Sequence, residues 1–258
     1  MLPAEFCPRI DASLSRVGSV FDGGYVVATE SLDRTSILLS FGLGADWTFE
    51  EDFRARTGAK ILCFDHTVTR RSWRRLIFRS VVDLVLLKTS PRTPIRHHRH
   101  YSRYKEFFGR ENVVHRHEMI GPGSVGGTDI DALMRDVSPE TGVFFKIDIE
   151  GGEYQLLDQL IGHQDAITGL VIEFHGLDLH RDRIVSFVRE LDLDLAHIHA
   201  NNCGGCDENG DPLVIEMTFK RPSSSDAPRH RQKDYPVANL DRPNCPFQKD
   251  LTLSFAQI

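Results

Sequence analysis

Short apolar segments alternate with segments of helical periodicity along most of the chain. Most of the apolar segments end at glycines or charged residues, and they have the length of buried parallel strands. They span residues 36–41, 59–65, 112–120, 142–150, 166–176, 194–202 and 212–221. The segments of helical spacing span residues 46–57, 128–137, 153–161 and 181–191, and Thr128 is the expected cap of the second. The alternation predicts an α/β fold.

The predicted sheet is Rossmann-like, seven-stranded and mostly parallel, with helices on both of its faces. The last two strands follow each other without a helix between them. We therefore expect the final strand to be antiparallel, either at the edge of the sheet or as an insertion. A length of 258 residues suits one large α/β domain, so we expect residues 1–258 to form a single domain.

Residues 68–111 interrupt the alternation and carry much of the positive charge. Residues 70–116 hold thirteen Lys and Arg against three Asp and Glu, whereas the other 211 residues hold eighteen against thirty-four. We predict a basic helical insertion after the second strand that covers the rim of the site. Its basic face is either solvated or in contact with an anionic partner such as a nucleotide-sugar phosphate, a lipid headgroup, nucleic acid or an acidic sister subunit. Residues 70–90 are also typical of a helix on a membrane surface, which would give peripheral membrane contact.

The remaining composition indicates a soluble protein. The chain has no run of 18 or more apolar residues and no basic region followed by an apolar core near its beginning. Five cysteines in a chain of this length do not indicate a disulfide framework. We therefore predict a reducing compartment, the cytoplasm, and a largely polar C-terminal tail over residues 222–258.

A zinc site is a competing interpretation of the C-x-x-C pair formed by Cys203 and Cys206, with Cys245 as a third ligand. Structural zinc takes four ligands, and the sequence has no second C-x-x-C, so Cys7 or a histidine would have to be recruited. The glycines between the two cysteines are explained more simply as a turn after the preceding strand.

A glycine-rich loop follows the first predicted strand. Gly42 and Gly44 allow a tight turn and close approach to a ligand, and Asp65 ends the next strand, where an acid typically accepts hydrogen bonds from ribose hydroxyls. Trp47 stands where the third glycine of a dinucleotide-binding loop belongs. The loop therefore disfavours a pyrophosphate ligand and leaves an adenosine ligand open.

Three later strands end in pairs of polar residues at alternate positions. The pairs are Asp148 and Glu150, Glu173 and His175, and His197 and His199. Because side chains alternate between the faces of a strand, each pair shares a side. Carboxylates and imidazoles placed at one sheet edge either bind a divalent cation such as Mg²⁺ or Mn²⁺ or act as a base without metal. Glu150 and Glu153 have a second interpretation, since acids also favour the start of a helix.

The segment FFKIDIEGGEY, residues 144–154, resembles the K-I-D-I-E-G-x-E signature of the FkbM-type class I S-adenosylmethionine-dependent methyltransferases. Other matching segments are DGGYVV (22–27), SFGLGADWTFEEDF (40–53), CFDHT (63–67), VIEFHG (171–176), HIHANNCGG (197–205) and LDRPNCPF (240–247). The resemblance spans roughly residues 18–250 outside the basic insertion. Ser40 and Asp46 depart from it, because many members have an acid and a glycine at these positions.

The resemblance implies a methyltransferase domain that uses S-adenosylmethionine, most often to methylate an oxygen of a sugar or small natural product. It implies that Gly42, Gly44, Asp65 and His66 bind the cofactor, with Asp65 on the ribose. The acceptor hydroxyl needs a base or a metal, for which Asp148, Glu173 and His175 are the candidates. The same three residues are the candidate Mg²⁺ or Mn²⁺ ligands, and His199 is the reserve base.

Two rival functions remain at the level of sequence. A nicotinamide-dependent oxidoreductase would need the pyrophosphate loop that this chain lacks. A non-catalytic module of methyltransferase fold would use its basic insertion to dock on nucleic acid or a membrane, but would have no use for the strand-end acids. We expect a small-molecule or glycan acceptor, regard nucleic acid as disfavoured, and regard self-association as compatible with a basic insertion beside an acidic body.

Overall fold

The computed structural model describes residues 1–123, 127–135, 137–138, 140–224, 226–228 and 234–257. Its strands are β1 (Ile10–Asp11), β2 (Leu14–Gly18), β3 (Gly24–Ala28), β4 (Ile37–Phe41), β5 (Lys60–Phe64), β6 (Val113–Arg116), β7 (Val143–Ile147), β8 (Ile167–His175), β9 (Asp194–Ala200), β10 (Val214–Lys220) and β11 (Ala227–Pro228). Its α-helices are α1 (Thr29–Asp33), α2 (Thr48–Thr57), α3 (Arg70–Val85), α4 (Arg92–Phe107), α5 (Ile130–Met134), α6 (Leu157–Gly162) and α7 (Leu177–Glu190).

The central sheet has seven strands in the order β6-β5-β4-β7-β8-β10-β9. Strands β4 to β8 pair in parallel, and β10 pairs antiparallel with both β8 and β9. The predicted α/β class and mostly parallel Rossmann-like sheet are confirmed. The antiparallel strand, β10, is an insertion between β8 and β9. The chain first forms β9 at the edge of the sheet and then returns to place β10 between β8 and β9.

Two apolar cores cover the two faces of the sheet. Adjacent residues of β4 belong to different cores. Leu39 packs in the core with α6 and α7, whereas Leu38 packs in the core with α2, α3 and α4. The second core is aromatic and includes Trp47, Phe53 and Phe107. This two-sided burial explains why the strands read as continuous apolar segments in the sequence.

The predicted helical insertion is a hairpin of α3 and α4. Thr69 caps α3 through a reciprocal capping box with Ser72. Trp73 of α3 lies edge-on to Trp47, with ring centroids 6.3 Å apart, and Tyr104 of α4 packs on both rings. The hairpin is therefore anchored at its base to the start of α2.

The sequence did not predict the antiparallel pair β2–β3, which packs across β8 and β10. Thr218 of β10 donates its hydroxyl proton to the carbonyl oxygen of Val26. The turn between the strands is tight, since a Cβ on Gly24 would lie 1.9 Å from the carbonyl oxygen of Ser19. This pair positions Tyr25 beneath the candidate site.

Several helix bounds differ from those predicted. Helix α7 begins at Leu177 rather than residue 181, and the helix predicted over 128–137 is limited to Ile130–Met134 among the described residues. The side chain of Asp129, not Thr128, accepts the capping hydrogen bond. The segment after β7 starts as a 3-10 turn, Glu153–Leu156, before α6.

The expectation that the cysteines form no disulfide was wrong. Cys203 and Cys245 are bonded, which joins the end of β9 to the C-terminal segment, while Cys7, Cys63 and Cys206 remain thiols. Cys203 is therefore not a zinc ligand. The side chain of Asn202 donates to the carbonyl oxygen of Cys245 and accepts from its amide, so the same two segments are also held by hydrogen bonds.

Thiol counting tests this bond. Alkylation of the purified protein, unfolded without reductant, is expected to modify three cysteines, and five after reduction, as read by intact mass. Modification of all five without reductant would contradict the disulfide.

None of the helices in the described ranges is both long and apolar enough to cross a bilayer.

Candidate active site

A cavity of about 560 Å³ opens at the carboxyl ends of β4, β5 and β7. The chain leaves β4 toward β5 and β6 on one side and returns to β7 on the other, so the strand order reverses between β4 and β7. Ligands of open α/β sheets bind at such a reversal. The volume is within the range of pockets that enclose small organic ligands and cofactors.

The glycine loop forms one wall of the cavity and approaches the end of β7 closely. Gly42 has a φ of +80°, and a Cβ there would lie 1.6 Å from the carbonyl oxygen of Asp148. The amide of Asp148 in turn donates to the carbonyl oxygen of Phe41 at 2.9 Å. Glycine is therefore required at this position for both its backbone conformation and its lack of a side chain.

Asp65 holds the glycine loop in place. One carboxylate oxygen accepts from the amides of Leu43 at 3.0 Å and Gly44 at 2.9 Å, and the other accepts from the amide and hydroxyl of Thr67. Burial acts to raise the pKa of Asp65, but these hydrogen bonds outweigh it and lower the pKa. Asp65 lines the cavity, and its hydrogen bonds clamp the glycine loop. The ribose contact that the resemblance implies for Asp65 stays a prediction.

Other predicted cofactor residues also lie at the cavity. Gly44, with a φ of +57°, and the exposed His66 line it beside Asp65. The two departures from the family pattern have local explanations. Asp46 accepts from the amide of Thr48 at the start of α2, and Ser40 donates to the buried carboxylate of Glu50.

Asp148 is shared between the cavity and a polar cluster behind it. Its side chain lines the cavity and accepts from the hydroxyl of Tyr25 at 2.9 Å. The ammonium of Lys146, which is buried, lies 3.6 Å from the same oxygen and donates to the carbonyl oxygen of Gly42. Lys146 therefore ties the glycine loop to the acidic end of β7.

Glu173 forms the buried part of the cluster. Its carboxylate accepts from the side-chain amide of Asn201 at 2.7 Å, and the Tyr25 hydroxyl lies 3.2 Å from its other oxygen. Burial raises the pKa of Glu173 well above its usual value, and the negative charges of Asp148 and Glu216 raise it further. Two carboxylates this close repel each other unless a proton or a cation lies between them.

His175 completes the cluster and is oriented by Glu153. One oxygen of Glu153 accepts from the backbone amide of His175 at 2.8 Å and lies 3.3 Å from Nδ1 of its ring. The other nitrogen, Nε2, lies 3.8 Å from Glu173 and 4.0 Å from Asp148. Burial acts to lower the pKa of His175, but the hydrogen bond with Glu153 and the neighbouring carboxylates raise it to about 9.

The donor set of Asp148, Glu173 and His175 fits a divalent cation. One ligand atom from each residue lies within 4.8 Å of the others. Glu153 supplies the outer carboxylate that commonly fixes the tautomer of a metal-binding histidine. Two carboxylates and an imidazole match the preferences of Mg²⁺ or Mn²⁺, and a cation would replace the positive charge of the protonated ring.

The structure does not bring His199 to this cluster. His199 is buried, with Nε2 at 3.2 Å from Asp250 and Nδ1 at 3.5 Å from Glu216. Its predicted partner on the same strand, His197, is paired with Asp241 at 2.7 Å. Because Asp241 and Asp250 belong to the C-terminal segment, these histidines hold that segment against the sheet. Strand β10 separates both histidines from the candidate site.

His199 is expected to make stability depend on pH. Burial acts to lower the pKa of His199, but the hydrogen bonds with Asp250 and Glu216 raise it to about 10. The stabilising charge of the ring is therefore fully present below pH 6.5 and is lost as the pH rises through 10. We expect His199→Gln to lower the free energy of unfolding by about 3 kcal/mol below pH 6.5 and by much less above pH 10. Urea unfolding at both pH values measures this, and an equal loss at both would contradict the charged pairing.

Sequence reasoning missed three residues that shape the site. Tyr25 lies on an unpredicted strand, and Asn201 lies in the predicted strand 194–202 without having been assigned a role. Glu153 was interpreted as a helix start, although its side chain, which is fully buried, turns back to bind Gly151 and His175. The diglycine between the two acids was the available signal, because it permits this reversal of the chain.

No family model matches the sequence, and no curated protein does. Similar solved structures include an rRNA methylase from Streptococcus thermophilus, 17% identical over 75% of this chain and 91% of that chain, with a TM-score of 0.38. Precorrin-6y C5,15-methyltransferase from Geobacter metallireducens is 11% identical over 74% and 83%, with a TM-score of 0.39. A 16S rRNA (adenine(1408)-N(1))-methyltransferase from Catenulisporales acidiphilia is 12% identical over 86% and 99%, with a TM-score of 0.35.

Proposed function

We propose that this chain is an S-adenosylmethionine-dependent methyltransferase that methylates a hydroxyl group of a sugar or small natural product. The KIDIEGGE resemblance supports the cofactor and the class of acceptor. The observation that carries the proposal is that Asp148 both lines a cofactor-sized cavity and belongs to the cluster with Glu173 and His175. A bound cofactor and an acceptor hydroxyl would therefore meet at one carboxylate.

The cavity residues would position the cofactor. S-adenosylmethionine supplies an electrophilic methyl group on a sulfonium centre, and transfer requires the acceptor oxygen to lie in line with it at near-attack distance. Asp65 and Lys146 hold the glycine loop from opposite ends, which fixes the shape of the cavity wall. The negative charge of Asp148 would favour a cationic sulfonium beside it.

The cluster would prepare the acceptor. An alcohol is a weak nucleophile until its proton is removed, so a carboxylate within reach raises its reactivity. A divalent cation held by Asp148, Glu173 and His175 would lower the pKa of a bound hydroxyl. Tyr25 and Asn201 hold the two carboxylates in place. Burial and the charges of Asp148 and Glu173 raise the pKa of Tyr25 well above its usual value, so its hydroxyl remains a hydrogen-bond donor.

Transfer of label from methyl-labelled S-adenosylmethionine tests the reaction. A panel of hydroxylated sugars, phenols and amines is incubated with the wild-type protein, with and without Mg²⁺ or Mn²⁺, beside Asp148→Asn. We expect labelled product with at least one acceptor and a loss of about a hundredfold or more in the variant. Labelling of nitrogen acceptors alone, or equal rates in the variant, would contradict hydroxyl activation by this cluster.

A further inference from the structure

The outer face of α3 is apolar in its second half and remains exposed. Phe78 is 71% exposed, Val85 is 75% exposed, and Val81 and Val82 between them are also exposed. These residues are spaced as i, i+3, i+4 and i+7, so they form one stripe along the helix. The buried side of α3, with Trp73 and Ser80, points to the protein instead. The stripe therefore contributes nothing to the core.

The turn after α3 extends the apolar stripe beyond the helix end. Leu86 is 55% exposed, and Leu87 is 90% exposed with a φ of +55°. A leucine rarely adopts this backbone conformation or this exposure. Ile95, in the first turn of α4, is also exposed. The hairpin thus ends in an apolar tip, which we define as Phe78, Val81, Val82, Val85, Leu86 and Leu87.

Arginines occupy the first half of α3, between this tip and the anchored base of the hairpin. Arg71, Arg74 and Arg75 lie at positions i−7, i−4 and i−3 relative to Phe78, so they share its face of α3. Together with Arg70 they line a groove of about 690 Å³. Residues 70–99 hold nine Lys and Arg against one acid, Asp83. The groove and its arginines offer several donors to an anionic group next to the apolar tip.

We propose that the α3–α4 hairpin docks this protein on an anionic phospholipid bilayer, with the apolar tip among the acyl chains and the arginines at the phosphate headgroups. An apolar tip followed by arginines matches the layers of a bilayer, in which the phosphate headgroups lie above the hydrocarbon core. RNA or the acidic surface of a second copy would neutralise the arginines but would leave the tip in water. Of these three partners, the lipid surface is the one that accounts for both the charge pattern and the apolar tip.

Vesicle co-sedimentation tests the proposal without any cofactor or acceptor. The wild-type protein is expected to bind vesicles of equimolar phosphatidylcholine and phosphatidylglycerol, and not those of phosphatidylcholine alone. Phe78→Ser combined with Val85→Ser and Leu87→Ser is expected to weaken binding by more than about a hundredfold. Arg71→Gln combined with Arg74→Gln and Arg75→Gln is expected to weaken it on the order of a hundredfold and to reduce its salt dependence.

Leu179→Ser is the matched control. Leu179 is 77% exposed on α7, which covers the opposite face of the sheet, so its loss is expected to leave vesicle binding unchanged. All substituted side chains of the tip variant are exposed, so its melting temperature should match that of the wild type. Absence of binding to the mixed vesicles, binding that survives the tip substitutions, or a dimer that dissociates in the tip variant would each overturn the proposal.

Discussion

The Gly42→Ala substitution is expected to abolish binding of S-adenosylmethionine and to lower the free energy of unfolding by about 3 kcal/mol. The added methyl group would lie 1.6 Å from the carbonyl oxygen of Asp148, and the φ of +80° disfavours alanine in any case. To relieve the contact, the ends of β4 and β7 must separate, which opens the wall of the cavity. Calorimetry of the cofactor and urea unfolding measure the two effects.

Gly58→Ala is the matched control for this substitution. Gly58 ends α2 with a φ of +70°, but a Cβ there meets no atom within 4 Å. Its replacement should therefore cost about 1 kcal/mol from backbone conformation alone and leave cofactor binding intact. If Gly42→Ala behaved like Gly58→Ala, the close approach of the two strand ends would have no role in forming the cavity.

The Asp148→Asn substitution is expected to weaken Mn²⁺ binding by about a hundredfold or more. It removes one of two charged ligands and leaves Glu173 and His175 in place. Titration calorimetry or the electron paramagnetic resonance signal of free Mn²⁺ measures the affinity. Affinity should also fall as the pH drops, because the raised pKa of His175, about 9, makes the proton a competitor for Nε2.

Glu150→Gln is the control at the same strand end. Glu150 is largely exposed and lies 3.5 Å from His175, but it is not part of the three-residue cluster. We expect its replacement to change Mn²⁺ affinity less than about threefold. Equal affinities of Asp148→Asn and the wild type, or no binding of Mn²⁺ by the wild type at millimolar concentration, would contradict the metal proposal and leave that of methyl transfer standing.

The sequence predicted the sheet well because its strands are buried on both faces. Segments such as β4 and β8 are mostly apolar and buried along almost their whole length, and glycines or charges mark their ends. The β2–β3 pair was missed because its first strand, with Ser15 and Arg16, is only half-buried and has no clear alternation. The bond between Cys203 and Cys245 spans 42 residues, a separation that no local pattern encodes.

The candidate site was predicted in part. Strand alternation brought Glu173 and His175 together with Asp148, because all three lie at carboxyl ends of the adjacent strands β7 and β8. The same reasoning failed for His199, because strands that follow each other along the chain need not be neighbours in the sheet. Strand β10 lies between β8 and β9, and its Glu216 faces His199 instead. Strand order is a tertiary property, and one inserted strand moved the histidine away from the cluster.

Calorimetry of the wild-type protein with S-adenosylmethionine and S-adenosylhomocysteine tests the central claim most directly. The cavity formed by the glycine loop, Asp65 and Asp148 is expected to bind both compounds at micromolar concentrations, with one molecule per chain. NADH serves as a comparison ligand and should not bind, because the loop lacks the third glycine of the dinucleotide-binding pattern. Absence of binding to both S-adenosyl compounds at millimolar concentration would contradict the assignment of this cavity and the proposed methyltransferase function with it.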